Sequence, residues 1–192
     1  MFKLNSKTIA CAGMFGALAL LATFIKVPMH FGNPNLGSTP VSVAGVLFPP
    51  QIAFLTGLIK GIGASLWTGQ PYIEMAAGIG DALMAVFTVL LVRKYRTDVA
   101  IICGQLSRYI FTSGLIAISV AVLLNGDPAL IPSMWVAIFP AVTLSIIANT
   151  AVSLVIVRAL PQRVSHIVDN MIGTRDKKPL HHVEIMNLKE EI

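Results

Sequence analysis

The stretch YIEMAAGIGDALMAVFTVLLVRKYR, residues 72–96, decides how this chain is read. Residues 73–92 form one apolar run, and Arg93, Lys94 and Arg96 close it. A helix needs about 20 such residues to cross the ~30 Å hydrocarbon core of a bilayer. Asp81 lies inside the run among Ala, Gly, Ile, Leu and Met. A charge at that depth is costly unless it is paired or hydrated.

Working outward, further apolar runs cover residues 9–25, 41–48, 52–67, 99–124 and 134–157. The run at 41–48 is short and fenced by Pro40 and Pro49-Pro50. At about 1.5 Å per residue it cannot cross a bilayer unaided. A short or broken span is tolerated where protein covers it, not where lipid does. The expected fold is an all-α integral membrane protein, a bundle of six transmembrane helices with the second short or broken. Composition agrees. The 192 residues are 55% hydrophobic and 12% charged, and their mean hydropathy is +0.78. A soluble domain carries roughly twice that charged fraction.

The net charge of +5 forms no basic stripe with interleaved aromatics, so nucleic acid is not an expected partner. The basic residues flank the spans instead. Lys3 and Lys7 precede the first, Arg93, Lys94 and Arg96 follow the fourth, and Arg158 and Arg163 follow the sixth. With six spans these share one side, so both termini are expected in the cytoplasm of a multi-pass cell-membrane protein. The first run, with Lys3 and Lys7 ahead of it, is read as a retained span, because no small-x-small cleavage site closes it. Cys11 and Cys103 lie in apolar runs and read as small buried hydrophobes.

Two units are expected: residues 1–160 as the six-helix substrate-binding domain, and 161–192 as a cytoplasmic tail. Val164, Ile167, Val168, Met171 and Ile172 give part of that tail an amphipathic helical spacing. His181-His182 lacks a spaced third ligand, so no metal is expected there.

Small residues four apart mark places where helix backbones approach closely. Span one carries Ala12 with Gly16 and Gly13 with Ala17. Span three carries Gly57, Gly61 and Ser65, and span four carries Ala76 with Gly80 and Gly78 with Ala82. Packing inside the bundle and docking of another membrane protein are both open readings for span one.

Lys60, Asp81, Arg108 and Asn149 fall near the middles of spans three to six. Lys60 and Asp81 can pair, and Arg108 can compete for the same carboxylate. The set is either a structural ion pair or the wall of a polar pocket. Trp67, Gln70, Tyr72 and Glu74 fall at the opposite end of spans three and four from the Arg93 cluster and read as the outer rim of that pocket, while Trp and Tyr there also serve as ordinary interfacial residues. The loop HFGNPNLGSTP, residues 30–40, shares that side and reads as a mobile lid, with Asn33 and Asn35 as amide contacts. A lid over a polar pocket describes a receptor for a small polar solute.

No HExxH, GxSxG, P-loop or CxxC occurs, so no enzyme and no cofactor are expected. Two rival readings stand beside the receptor. One is a stand-alone ion-coupled secondary transporter relaying through Lys60, Asp81 and Arg108. The other is a ligand-free membrane scaffold.

Residues 8–160 resemble the substrate-binding S components of energy-coupling factor (ECF) vitamin transporters. STPVSVAGVLFPPQIAFLTGLIKGIG, residues 38–63, is similar to that family's second and third helices, with Pro49-Pro50 where Gly-Pro is usual. YIEMAAGIGDALMAVFTVLLVRKY resembles the fourth helix of riboflavin-type members, with Glu74 in a matching place. Their last-helix Pro-Phe-Asn-x-x-Lys run is replaced here by Pro140, Ala141, Val142, Thr143, Leu144 and Ser145, with Asn149 one turn onward. The resemblance implies a vitamin-like substrate without naming it. It also implies a membrane T component, two cytoplasmic ATPase subunits, and toppling of the subunit in the membrane during transport. Ala12, Gly13, Gly16 and Ala17 are implied as the T-component face.

Overall fold

The computed structural model describes residues 6–29 and 32–160. The expectations for residues 161–192 and for His30 lie outside the described residues. The described chain is helical: α1 (Ser6–Ala22), α2 (Ser38–Leu47), α3 (Pro50–Thr68), α4 (Pro71–Val92), α5 (Thr97–Leu106), α6 (Phe111–Ile118) and α7 (Ile131–Ala159). A 3₁₀ turn, Ser107–Tyr109, joins α5 to α6, and a π-helical turn, Ser119–Leu124, continues α6. These pieces make one rod, Thr97–Leu124, so the described residues form six rods.

Three of the rods, Pro71–Val92, Thr97–Leu124 and Pro128–Ala159, are long and apolar enough to cross a membrane. The helices Ser6–Ala22 and Ser38–Leu47 are apolar but shorter. Large apolar side chains such as Met14, Leu90, Ile147 and Val155 are exposed on the outside of the bundle, as a lipid-facing surface requires.

Prolines and one glycine set the corners. Phe48 precedes Pro49 and is extended (φ −118°, ψ 162°), which ends α2. Steric conflict with a following proline ring disfavours helical backbone at such a position. Pro50 and Pro71 then open α3 and α4, where the missing N–H costs nothing. Gly69, at φ 67°, closes α3 in the left-handed region.

The rods alternate in direction. α3 and α4 are antiparallel and in close contact: a Cβ on Gly57 would lie 2.6 Å from the Ala82 backbone, and one on Gly61 would lie 2.8 Å from Gly78 Cα. The two small-residue rows read in spans three and four therefore face each other. α1 runs parallel to α3, with Gly16 against Ile59 and Gly63 against Leu20. α4 is central and packs on α2, α3, α5 and α6.

α2 is the short second segment. Ser38, Thr39 and every residue from Val41 to Val46 are buried, so protein encloses it on all sides. Its polar end reaches mid-bundle, where the site begins.

Candidate functional site

Asp81 is fully buried, and four side chains from three other rods converge on it. Lys60 of α3 donates to Oδ2 and forms an ion pair with it. Ser38 of α2 donates to the same oxygen at 2.6 Å. Arg108 Nε reaches Oδ1 at 3.0 Å, and Thr112 Oγ1 donates to Oδ1 at 3.1 Å. Lys60 and Arg108 are only 4% and 6% exposed. Two cations thus share one carboxylate, and Arg108 joins Lys60 rather than displacing it.

The network continues into α7. Arg108 Nη1 donates to Ser145 Oγ at 3.0 Å. Asn149 Nδ2 donates to the Ser145 carbonyl at 2.7 Å, and Thr39 Oγ1 of α2 donates to Asn149 Oδ1 at 2.8 Å. One connected layer of charge and hydrogen bonds therefore ties α2, α3, α4, the Arg108 turn and α7. Arg108 occupies the 3₁₀ turn between α5 and α6. Ser107 and Ser113 hydroxyls bond the Gly104 and Arg108 carbonyls there, satisfying backbone acceptors that the helix break disturbs.

Residues 25–27 and 33–37, between α1 and α2, roof this layer. Val27 N bonds the Pro34 carbonyl at 2.9 Å and Leu36 N bonds the Ile25 carbonyl at 3.2 Å, with an antiparallel bridge between Lys26 and Asn35. The Asn35 carbonyl accepts from Asn149 Nδ2 at 2.7 Å and from Ser145 Oγ at 3.3 Å. Its side chain turns back, accepting from Gly37 N at 2.9 Å and donating to the Asn33 carbonyl at 3.2 Å. Gly37 lies directly over Lys60: an added Cβ would sit 2.8 Å from Lys60 Cε. Asn35 therefore meets the polar layer through its backbone, while the Asn33 residue is exposed.

The suggested rim divides. Trp67 is 69% exposed and lies edge-on to Phe24, with ring centroids 5.2 Å apart. Tyr72 and Gln70 are also exposed. Glu74 alone of the four is half-buried, on the Asp81 face of α4, within electrostatic range of Lys60 and Lys26. The structure brings Lys60, Asp81, Arg108, Asn149 and the Asn35 backbone together, with Glu74 beside them. It leaves Trp67, Gln70 and Tyr72 outside.

The span-one residues divide as well. Ala12 is buried, and a Cβ on Gly16 would lie 2.5 Å from Ile59 Cγ2, so this pair packs inward. Gly13 has open space around it and Ala17 is exposed. The four therefore do not share one face: Ala12 and Gly16 pack inside the bundle, and Gly13 and Ala17 face outward. Helix geometry is the reason: residues four apart share a face, and the two pairs are offset by one residue, about 100°.

Sequence reading missed Ser38, Thr39, Thr112 and Ser145, each of which bonds a named member of the layer. It also missed an aromatic group between the Arg108 turn and α7. There Tyr109 meets Phe139 edge-on at 5.3 Å and bonds Thr143 Oγ1 at 2.7 Å, while Trp135 Nε1 donates to the Tyr109 carbonyl at 2.9 Å. Among the described residues, no group of three His, Cys, Asp or Glu is placed to hold a metal ion.

No protein-family model matches this chain, and no curated protein matches it. A solved structure does. The chain is similar to the S component of a bacterial ECF transporter, with a TM-score of 0.57 and 18% sequence identity, over 84% of this chain and 97% of that one. At that identity the likeness is one of fold: the six-rod bundle described above is similar in architecture to that structure.

Proposed function

We propose that this chain is the substrate-binding membrane subunit of an ECF-type uptake transporter and a receptor for a small polar solute of the vitamin class. The observation that carries this reading is the match of fold to an S component along 97% of that chain's length. The polar layer supports it, because such a layer gives a solute an anchored floor at mid-bundle. In this reading the chain passes through the cell membrane six times, the second time by way of the short, protein-enclosed helix α2, with both termini inside. A T component docks on the Gly13 and Ala17 side of α1, and two cytoplasmic ATPases drive the cycle.

The solute enters under residues 32–37. Asn149 Nδ2 and Ser145 Oγ now donate to a backbone carbonyl of that segment. An acceptor on the solute takes the place of the Asn35 carbonyl, so the segment moves aside without stranding a buried donor. In this reading Lys60, and Glu74 within its electrostatic range, read the solute's polar edge. Asp81 is held by two cations and two hydroxyls, which suits a fixed wall better than a carboxylate that gains and loses a proton. That geometry favours the receptor over an ion-coupled relay.

Two measurements test the proposal. Mass spectrometry of small molecules that co-purify with the detergent-solubilised protein identifies the solute. Proteoliposome uptake of that solute then compares the chain alone with the chain plus T component and ATPases. ATP-dependent uptake only in the complete assembly is expected. Uptake by the chain alone, driven by an ion gradient, overturns the proposal in favour of a secondary transporter.

A further inference from the structure

Three buried polar side chains take no part in the layer around Asp81. Both amide atoms of Gln105, Ser42 Oγ and Ser153 Oγ are buried and have no hydrogen-bond partner among the described residues. Gln105, Ser42 and Ser153 are each 0% exposed. Buried polar atoms in folded proteins almost always have a partner, so a cluster of orphans calls for a physical account.

Their register places them together. Ser42 lies one turn along α2 from Ser38, and Ser153 lies one turn along α7 from Asn149. Gln105 lies one turn before Arg108, on a rod that runs the other way. Ser38 and Arg108 both bond Asp81, and Asn149 is joined to α2 through Thr39. The three orphans are therefore displaced in one common direction, toward the Arg93 end, by about 5 Å. α2, α5 and α7 pack on one another pairwise. Register thus sets the three side chains at one level, beneath the first layer.

The chemistry of the layer selects its occupant. The Gln105 amide nitrogen only donates, its oxygen only accepts, and the serine hydroxyls do either. A cation would leave the nitrogen unpartnered and would sit one turn from Lys60 and Arg108. An anion would leave the amide oxygen unpartnered. A small neutral molecule that both donates and accepts satisfies every atom. We propose that Ser42, Gln105 and Ser153 form a buried hydration site, in which water supplies the partners that these buried polar groups lack. This inference stands independently of the function proposed above.

A high-resolution structure of the full chain in lipid nanodiscs tests it directly. Water-sized density about 2.7–3.2 Å from the Gln105 amide and both serine hydroxyls is expected. A Gln105 amide bonded to a main-chain group, with no density between the three side chains, overturns the site. An anomalous peak after exchange of chloride for bromide overturns water in favour of a halide. Thermal unfolding of Gln105→Leu gives a second reading. If water fills the site, the change strands the serine hydroxyls and lowers Tm by about 2–4 °C, the shift of one lost buried bond in a chain of this size. If the layer is dry, deleting an unsatisfied amide leaves Tm unchanged or raises it, which overturns the proposal. Should Gln105→Leu fail to fold, the density in the unsubstituted protein decides.

Discussion

Changing Asp81 to Asn keeps the volume of the side chain and removes its charge. The consequence is set by what surrounds it. Lys60 and Arg108 are both buried and both address this carboxylate. An asparagine can accept from Ser38 or Thr112, but its amide nitrogen must face one of the two cations, a donor against a donor. Breaking a buried ion pair by removing one partner costs about 3–5 kcal/mol. For a chain of this length each kcal/mol shifts Tm by about 2–4 °C, so a fall of roughly 6–20 °C is expected. The assay is thermal unfolding of the detergent-purified protein. Lys60→Met is expected to be much milder, because Asp81 and Arg108 remain paired at 3.0 Å. The combination Asp81→Asn with Lys60→Met recovers only part of the loss, since Arg108 is still uncompensated. Adding Arg108→Met recovers most of it, because a dry ionic group is often replaceable by apolar side chains. A Tm for Asp81→Asn within about 2 °C of the parent would refute the reasoning, as the charge would then contribute less than ~1 kcal/mol. So would complete recovery in the double variant, which would mean that Arg108 does not depend on Asp81.

Further outcomes are expected. Gly61→Leu should abolish the folded protein, because its Cβ alone would meet Gly78 Cα at 2.8 Å; Gly13→Leu, with open space around it, should fold and bind solute yet fail in reconstituted uptake, and normal uptake by that variant would remove Gly13 from the docking face. Asn149→Ala deletes the donor now held by the Asn35 carbonyl, and titration of the identified solute should show affinity lower by about ten- to a hundredfold, the equivalent of one buried hydrogen bond of ~1–3 kcal/mol; Trp67→Ala should leave that affinity within about twofold, since an exposed ring adds little. In a background with Cys11 and Cys103 changed to Ser, Asn33→Cys should react with an impermeant thiol reagent from outside intact cells and Tyr95→Cys only after permeabilisation, and the reverse pattern would invert the topology.

Much of the architecture was legible because it is written locally. Apolar length and its punctuation place the rods: the run read at 73–92 is helix Pro71–Val92, and that at 99–124 ends with the rod Thr97–Leu124. Pro49-Pro50 separate α2 from α3 as expected, since ring sterics act only on adjacent residues. One boundary moved. The apolar run of span one continues to Ile25, yet α1 ends at Ala22. The following residues leave the helix to pair with 34–36, a contact that no local pattern signals.

What the sequence by itself determined is the set of rods and the depth of the charges, because span length, basic flanks and a count of residues from a span end are one-dimensional quantities. Tertiary structure alone decided which polar groups act together. Serine and threonine in an apolar helix commonly bond their own backbone one turn back. Thr56, Ser65, Thr68 and Thr88 do so here, to the carbonyls of Ile52, Gly61, Ala64 and Met84. Ser38, Thr39 and Thr112 instead reach across to Asp81 and Asn149, and Arg108 reaches across to Ser145. Nothing in the chain's order separates the two groups. The difference arises only when six rods are packed and a buried carboxylate, unable to reach water, takes its partners from whichever helices stand beside it.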